Sequence, residues 1–178
     1  MRISCLFILM LLLALAFTPA TQARQAPDGL EEGFLGRYNY MAQRLVALAD
    51  ALPEDKFSWS PAEGVMSMER VFMHIIHYNY SYPATSLGIP APDGIDVDNL
   101  EAMTGKASVQ AHLSNSLEHV RQVLAQLSEE DLKASVELYG RKTQAWNVLL
   151  QLQTHMGEHL GQLIAYTRMN GVVPPWSL

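Results

Sequence analysis

Histidine, glutamate and glutamine gather in one stretch near the C-terminal end of this chain, His155-Met156-Gly157-Glu158-His159-Leu160-Gly161-Gln162. On a helix turning about 100° per residue, His155 and His159 lie about 40° apart on one face. Glu158 falls about 60° to the other side of His155, with Gln162 between them. Two imidazoles so placed can hold one divalent metal ion, and the acid or amide beside them can orient a water or a ligand ring. Earlier in the chain His74, His77 and Tyr78 also share a helix face. Packed against the first pair, one of these histidines would complete a three-nitrogen site with a coordination position left open for water or substrate. Paired histidines at helical spacing also arise by chance, as rings satisfied in a core or facing solvent. His112 and His119 read as surface residues.

Other chemistries find less support. His155 to His159 also fits H-x-x-E-H, the inverted zinc-peptidase pattern, but that chemistry needs a large α/β scaffold and a distant acidic ligand. The chain has no G-x-S-x-G elbow, no phosphate loop and no dinucleotide fingerprint. Asn79-Tyr80-Ser81 fits a glycosylation sequon, yet it lies inside an expected helix and reads as coincidence. Methionines and aromatics along the helices read as core, while Tyr38, Trp59 and Trp146 could instead line a pocket.

The elements that must carry these residues are helical. Phe34, Tyr38, Met41, Leu45, Leu48 and Ala49 recur every three to four residues up to Pro53, an amphipathic first helix. Residues 53–66 hold Pro53, Phe57, Trp59, Pro61 and Gly64 and read as an ordered loop folded on the core. Ser67 is the expected N-cap of a second helix reaching about Tyr82. Prolines, glycines and acids then mark the longest loop, Pro83 to Lys106, of a length often tied to function or to spanning distance. Ser108 is the expected cap of a third helix, with Val109, Leu113, Leu117, Val120, Leu124 and Leu127 as its stripe. Ser128 to Asp131 reads as a turn or one short helix, and Ser135 to Lys142 as an extended or irregular crossover. A fourth helix runs from near Thr143 to about Asn170, closed by Gly171 and barred by Pro174-Pro175. With no convincing strand alternation, the expected fold is an all-α four-helix bundle.

The first 23 residues read as an export signal, with Arg2 ahead of an apolar run from Cys5 to Phe17 and small residues at Thr21-Gln22-Ala23. The run is short for a membrane span. Removing it leaves residues 24–178 as one domain, takes away Arg2 and no acid, and moves the formal net charge from −6 to −7. An acidic balance disfavours nucleic acid as a partner. Cys5 is the only cysteine, so the mature chain has neither disulfide nor thiolate, and its position at the start of the run does not indicate a lipid anchor. The expectation is a soluble exported protein, periplasmic or secreted, without membrane attachment once the signal is gone.

These features together resemble the DinB/YfiT-like superfamily of small bacterial four-helix proteins. The resemblance rests on Trp59-Ser60-Pro61-Ala62-Glu63-Gly64, on Ser67 to Tyr80 with His74, Ile75, Ile76 and Asn79, and above all on His155 to Pro175. It covers residues 30–175. It implies an up-down-down-up bundle, which the long loop between the second and third helices would suit. It also implies a divalent metal held by His74, His155 and His159, with His77 outside the ligand pattern and beside the site. Three neutral imidazoles leave most of the metal's charge uncompensated, and zinc and nickel both accept them. Glu158 is then a candidate base. Some relatives are thiol transferases or a thiol-dependent isomerase that use intracellular thiols, a cosubstrate an exported protein would seldom meet. The resulting expectation is a metal-dependent hydrolase or transferase acting on a small-molecule substrate. The alternative is a non-catalytic metal-binding or ligand-binding bundle, and leftover apolar surface could form a homodimer.

Overall fold

A computed structural model describes residues 31–177. The expected signal at residues 1–23 lies outside the described residues. Four long helices carry the fold: α1 (Gly36–Ala51), α2 (Met68–Tyr82), α3 (Gly105–Gln126) and, after a single-turn α4 (Glu129–Lys133), α5 (Ala145–Met169). No helix among the described residues is long and apolar enough to cross a membrane.

The apolar stripes read from the sequence are the core. Tyr38, Leu45 and Leu48 of α1 are buried together with Phe72, Ile75 and Ile76 of α2, Val109, Leu113 and Val120 of α3, and Val148, Leu152 and Leu163 of α5. Each such side chain contributes about 1.5–3 kcal/mol of burial free energy. Tyr38, considered for a pocket wall, is a core residue whose hydroxyl donates to the Leu117 carbonyl at 3.1 Å.

Contacts fix the relative sense of the helices. The Gly105 amide donates to Glu69 and Asn79 donates to Ser116, so α2 and α3 run the same way. Lys106, at the start of α3, donates to the carbonyls of Asp50 and Leu52, while Arg121, near its end, donates to Asn39. Helices α1 and α3 are therefore opposed. The Lys106 ammonium also satisfies carbonyls that the end of α1 leaves without helical partners. Gly157 of α5 faces α1, where a Cβ would stand 3.4 Å from the sulfur of the flexible Met41 side chain.

Ends and connections differ from expectation in instructive ways. Ser67 caps α2 as expected, accepting from the Arg70 amide at 3.3 Å. Helix α3 starts at Gly105 and not after Ser108, because the Glu69 carboxylate, reaching across from α2, accepts the Gly105 N–H at 2.7 Å. The segment Ser135 to Lys142, expected as an extended or irregular crossover, is extended and pairs with itself as an antiparallel hairpin of β1 (Ser135–Leu138) and β2 (Arg141–Gln144). Four-residue strands are too short to show a decisive alternation in sequence. Pairing of Thr143 and Gln144 in β2 also delays the start of α5 to Ala145. The hairpin turn is Tyr139-Gly140, both with positive φ (52° and 71°), the combination that suits the twist of a two-residue hairpin loop.

The long loop is not open. Its helical turn Val97–Ala102 buries Leu100 and lies along α2. The earlier loop is tied to the same helix, with the Met68 and Glu69 amides donating to the Trp59 and Phe57 carbonyls.

Candidate metal centre

The antiparallel packing of α2 against α5 brings His74, His155 and His159 together, each offering a nitrogen within 4.8 Å of the others. Their ring centroids are 4.5–5.0 Å apart. His155 is 9% exposed and packs against the rings of Tyr78 and Tyr82, at 4.7 and 5.8 Å.

Two rings of this cluster are oriented by partners on their outer nitrogens. His74 Nδ1 lies 2.6 Å from Glu101 Oε1. The other Glu101 oxygen accepts from Arg70 at 2.8 Å, and Arg70 also donates to the Glu101 carbonyl. His159 Nδ1 lies 2.9 Å from Gln162 Oε1, and Gln162 Nε2 in turn donates to the Tyr166 hydroxyl at 2.8 Å. A carboxylate can only accept, so neutral His74 carries its proton on Nδ1 and leaves Nε2 with its lone pair free, and the Gln162 oxygen turned toward His159 favours the same tautomer there. Trp59 packs edge-on against Tyr166 at 5.3 Å, connecting the loop of residues 53–66 to this chain of contacts.

His155 lacks such a partner. Its Nε2 is buried without a hydrogen bond among the described residues. Leaving a buried polar atom unpaired costs about 1–3 kcal/mol. Burial, followed by the neighbouring His159, His74 and His77 rings, pushes the His155 pKa down to about 3. His74 is also lowered by burial, which outweighs the opposing pull of Glu101. The 2.6 Å contact is therefore a hydrogen bond from neutral His74 to a carboxylate, not an imidazolium ion pair. Two lone pairs freed by tautomer and an orphaned buried nitrogen form a donor set that suits a divalent cation.

The remaining sequence candidates fall elsewhere. His77 is anchored to the Val97 carbonyl at 3.0 Å and stands beside the cluster. Glu158 is exposed and makes no hydrogen bond or ion pair among the described residues. His119, expected at the surface, is 5% exposed and packed on Tyr80 at 5.0 Å. Its face of α3 turns toward α2, and the broad contact between parallel helices buries more of α3 than its leucine stripe indicates. Asn79 of the sequon-like triplet is 2% exposed and spent on Ser116. Glu101 is the functional candidate missed in the sequence. Nothing about an acid in a loop, 27 residues from His74, announces the pairing.

The family model of the DinB superfamily matches residues 37–163, more than two thirds of the chain. The chain belongs to the DinB superfamily. All three clustered histidines fall inside the matched span. Among curated proteins, this DinB chain is 28% identical over 127 residues to the uncharacterized protein YjoA of Bacillus subtilis strain 168, covering 70% of this chain and 80% of YjoA. Among solved structures it is similar to a DinB-like protein from Bacillus cereus ATCC 10987, with a TM-score of 0.60 and 19% identity over 81% of this chain and 95% of that one. It is similar also to the crystal structure of YjoA, with a TM-score of 0.59 and 24% identity over 80% and 91%. These likenesses establish the DinB fold. Tyr166 and Gln162 lie at the edge of the matched span or beyond it, so this support of His159 is read from the chain's own geometry.

Proposed function

We propose that this DinB protein binds one divalent metal ion through His74, His155 and His159 and uses it as a metal-dependent hydrolase or transferase. The orphaned, buried Nε2 of His155 is the observation that carries the reading, supported by the Nδ1 protons of His74 and His159 being held by Glu101 and Gln162. A divalent cation there supplies a Lewis acid whose charge three neutral imidazoles leave uncompensated. Zinc and nickel both suit an all-nitrogen donor set with open positions.

The protein's own residues do the rest. Glu101 and Gln162 fix the tautomer and angle of two ligand rings, and Tyr78 and Tyr82 exclude water from His155. Glu101 is engaged by Arg70 and His74. Glu158, the sequence neighbour of His159, exposed and without a partner among the described residues, is the candidate proton acceptor for the nucleophile. We further propose that the chain is exported, on the signal-like character of residues 1–23.

Metal content by elemental mass spectrometry, on protein purified without a histidine tag, tests the reading. About one divalent ion per chain is expected, with loss in both His74→Ala and His155→Ala. No metal after incubation with zinc or nickel would overturn it.

A further inference from the structure

A surface cleft of about 640 Å³ lies between the hairpin and the N-terminal half of α5, a volume in the range of small-molecule sites. Arg141 and Lys142 of β2 line it, and no aspartate or glutamate does. Neither cation makes an ion pair or a side-chain hydrogen bond among the described residues, although the chain as a whole carries a net charge of −6. Lys142, next to Arg141 in β2, alternates to the other face of the hairpin opposite Glu137, so Arg141 is the cation on the face that Leu138 and Thr143 present to the cleft. Next to this charge stand large apolar groups that water would disfavour: Tyr139 is 66% exposed and Leu150 is 51% exposed. Gln151 and Thr154 of α5 also line the cleft, and Thr154 immediately precedes His155 in the chain. Gln151 reaches the Tyr82 hydroxyl at 3.5 Å, Tyr139 hydrogen-bonds the same hydroxyl, and the Tyr82 ring packs on His155.

Tyr139 holds this position against its own backbone preference. A left-handed φ is costly for a residue with a bulky side chain and easy for glycine or asparagine. The ring that lines the cleft and contacts Tyr82 is the feature an asparagine or glycine turn would lack.

We infer that this cleft binds a small amphiphilic anion, its carboxylate or phosphate on Arg141 and its apolar body against Tyr139 and Leu150. Naming this anion as the substrate class rests on the metal-centre reading above; the binding itself does not. The Arg141 guanidinium recognises a compact oxyanion through charge-assisted, bidentate hydrogen bonds, and the apolar wall adds affinity only for a ligand with a hydrocarbon or aromatic portion.

The test is a calorimetric titration of metal-free and zinc-loaded protein with phenyl phosphate, hexanoate and inorganic phosphate. Phenyl phosphate and hexanoate are expected to saturate in both forms, with inorganic phosphate at least about tenfold weaker than phenyl phosphate. Arg141→Gln should weaken both amphiphiles about tenfold or more, with zinc content and thermal midpoint unchanged. Leu150→Ser should weaken phenyl phosphate while leaving inorganic phosphate unaltered. Absence of saturation by any probe, or equal affinity in Arg141→Gln, would overturn the inference. So would binding seen only with zinc and lost in His155→Ala, which would put the anion on the metal. Zinc-free protein that cannot be loaded but still binds phenyl phosphate would remove the metal centre and leave the cleft standing.

Discussion

His74 and Glu101, 27 residues apart in sequence, meet through Nδ1 and Oε1 at 2.6 Å. The carboxylate accepts the imidazole proton, is itself steadied by Arg70, and aims the other ring nitrogen at His155 and His159. Removing such an outer partner commonly lowers metal affinity about 10–100-fold. Glu101→Ala is therefore expected to weaken zinc binding by that order in a chelator-competition titration, with helical circular dichroism unchanged. Affinity equal to wild type would show that Glu101 does not tune the site.

Tyr166 acts on His159 through Gln162. With Tyr166→Phe the Gln162 side chain loses the hydroxyl that anchors it, and the oxygen facing His159 Nδ1 is held less firmly. Zinc affinity should fall less than in Gln162→Leu, where the oxygen itself is gone. A larger loss in Tyr166→Phe than in Gln162→Leu would contradict this order of contacts.

Acid should destabilise the metal-free protein. Burial lowers the folded-state pKa of His155, His74 and His119 below the ordinary histidine value of about 6.5. Below that value the unfolded chain takes up protons that the folded chain resists, so stability falls as pH drops. For His155 the loss continues to about pH 3, where the folded ring also protonates. Each such group contributes up to about 1.4 kcal/mol per pH unit within its window, and none above it. Urea unfolding at pH 7.5, 6 and 5 should show this decline, and His119→Leu should flatten it.

Asn79 and Ser116 form a buried pair across α2 and α3, with the amide donating at 3.1 Å and the serine hydroxyl donating on to the Leu113 carbonyl. Ser116→Ala leaves the Asn79 amide without its acceptor, at a cost of about 1–3 kcal/mol. Urea unfolding measures it directly, and a cost below about 0.5 kcal/mol would show the pair to be relieved by water. The same burial predicts that Asn79 stays unglycosylated when the protein passes through a glycosylating secretory pathway, which intact-mass measurement checks.

Much of this protein follows from local rules acting within the sequence. Helical stripes, the Ser67 cap, the Gly171 terminator and the shared face of His155, His159 and Gln162 depend on residues within a few positions of one another, and 3.6-residue periodicity exposes them. The choice of His74 over His77, the approach of Glu101, the start of α3 at Gly105 and the burial of His119 were decided in three dimensions. Each depends on which face of α2 meets which neighbour, a matter of side-chain fit across tens of residues that no spacing encodes. The hairpin belongs with them: its strands are too short to declare themselves, and Tyr139 takes a left-handed turn where its hydroxyl meets Tyr82.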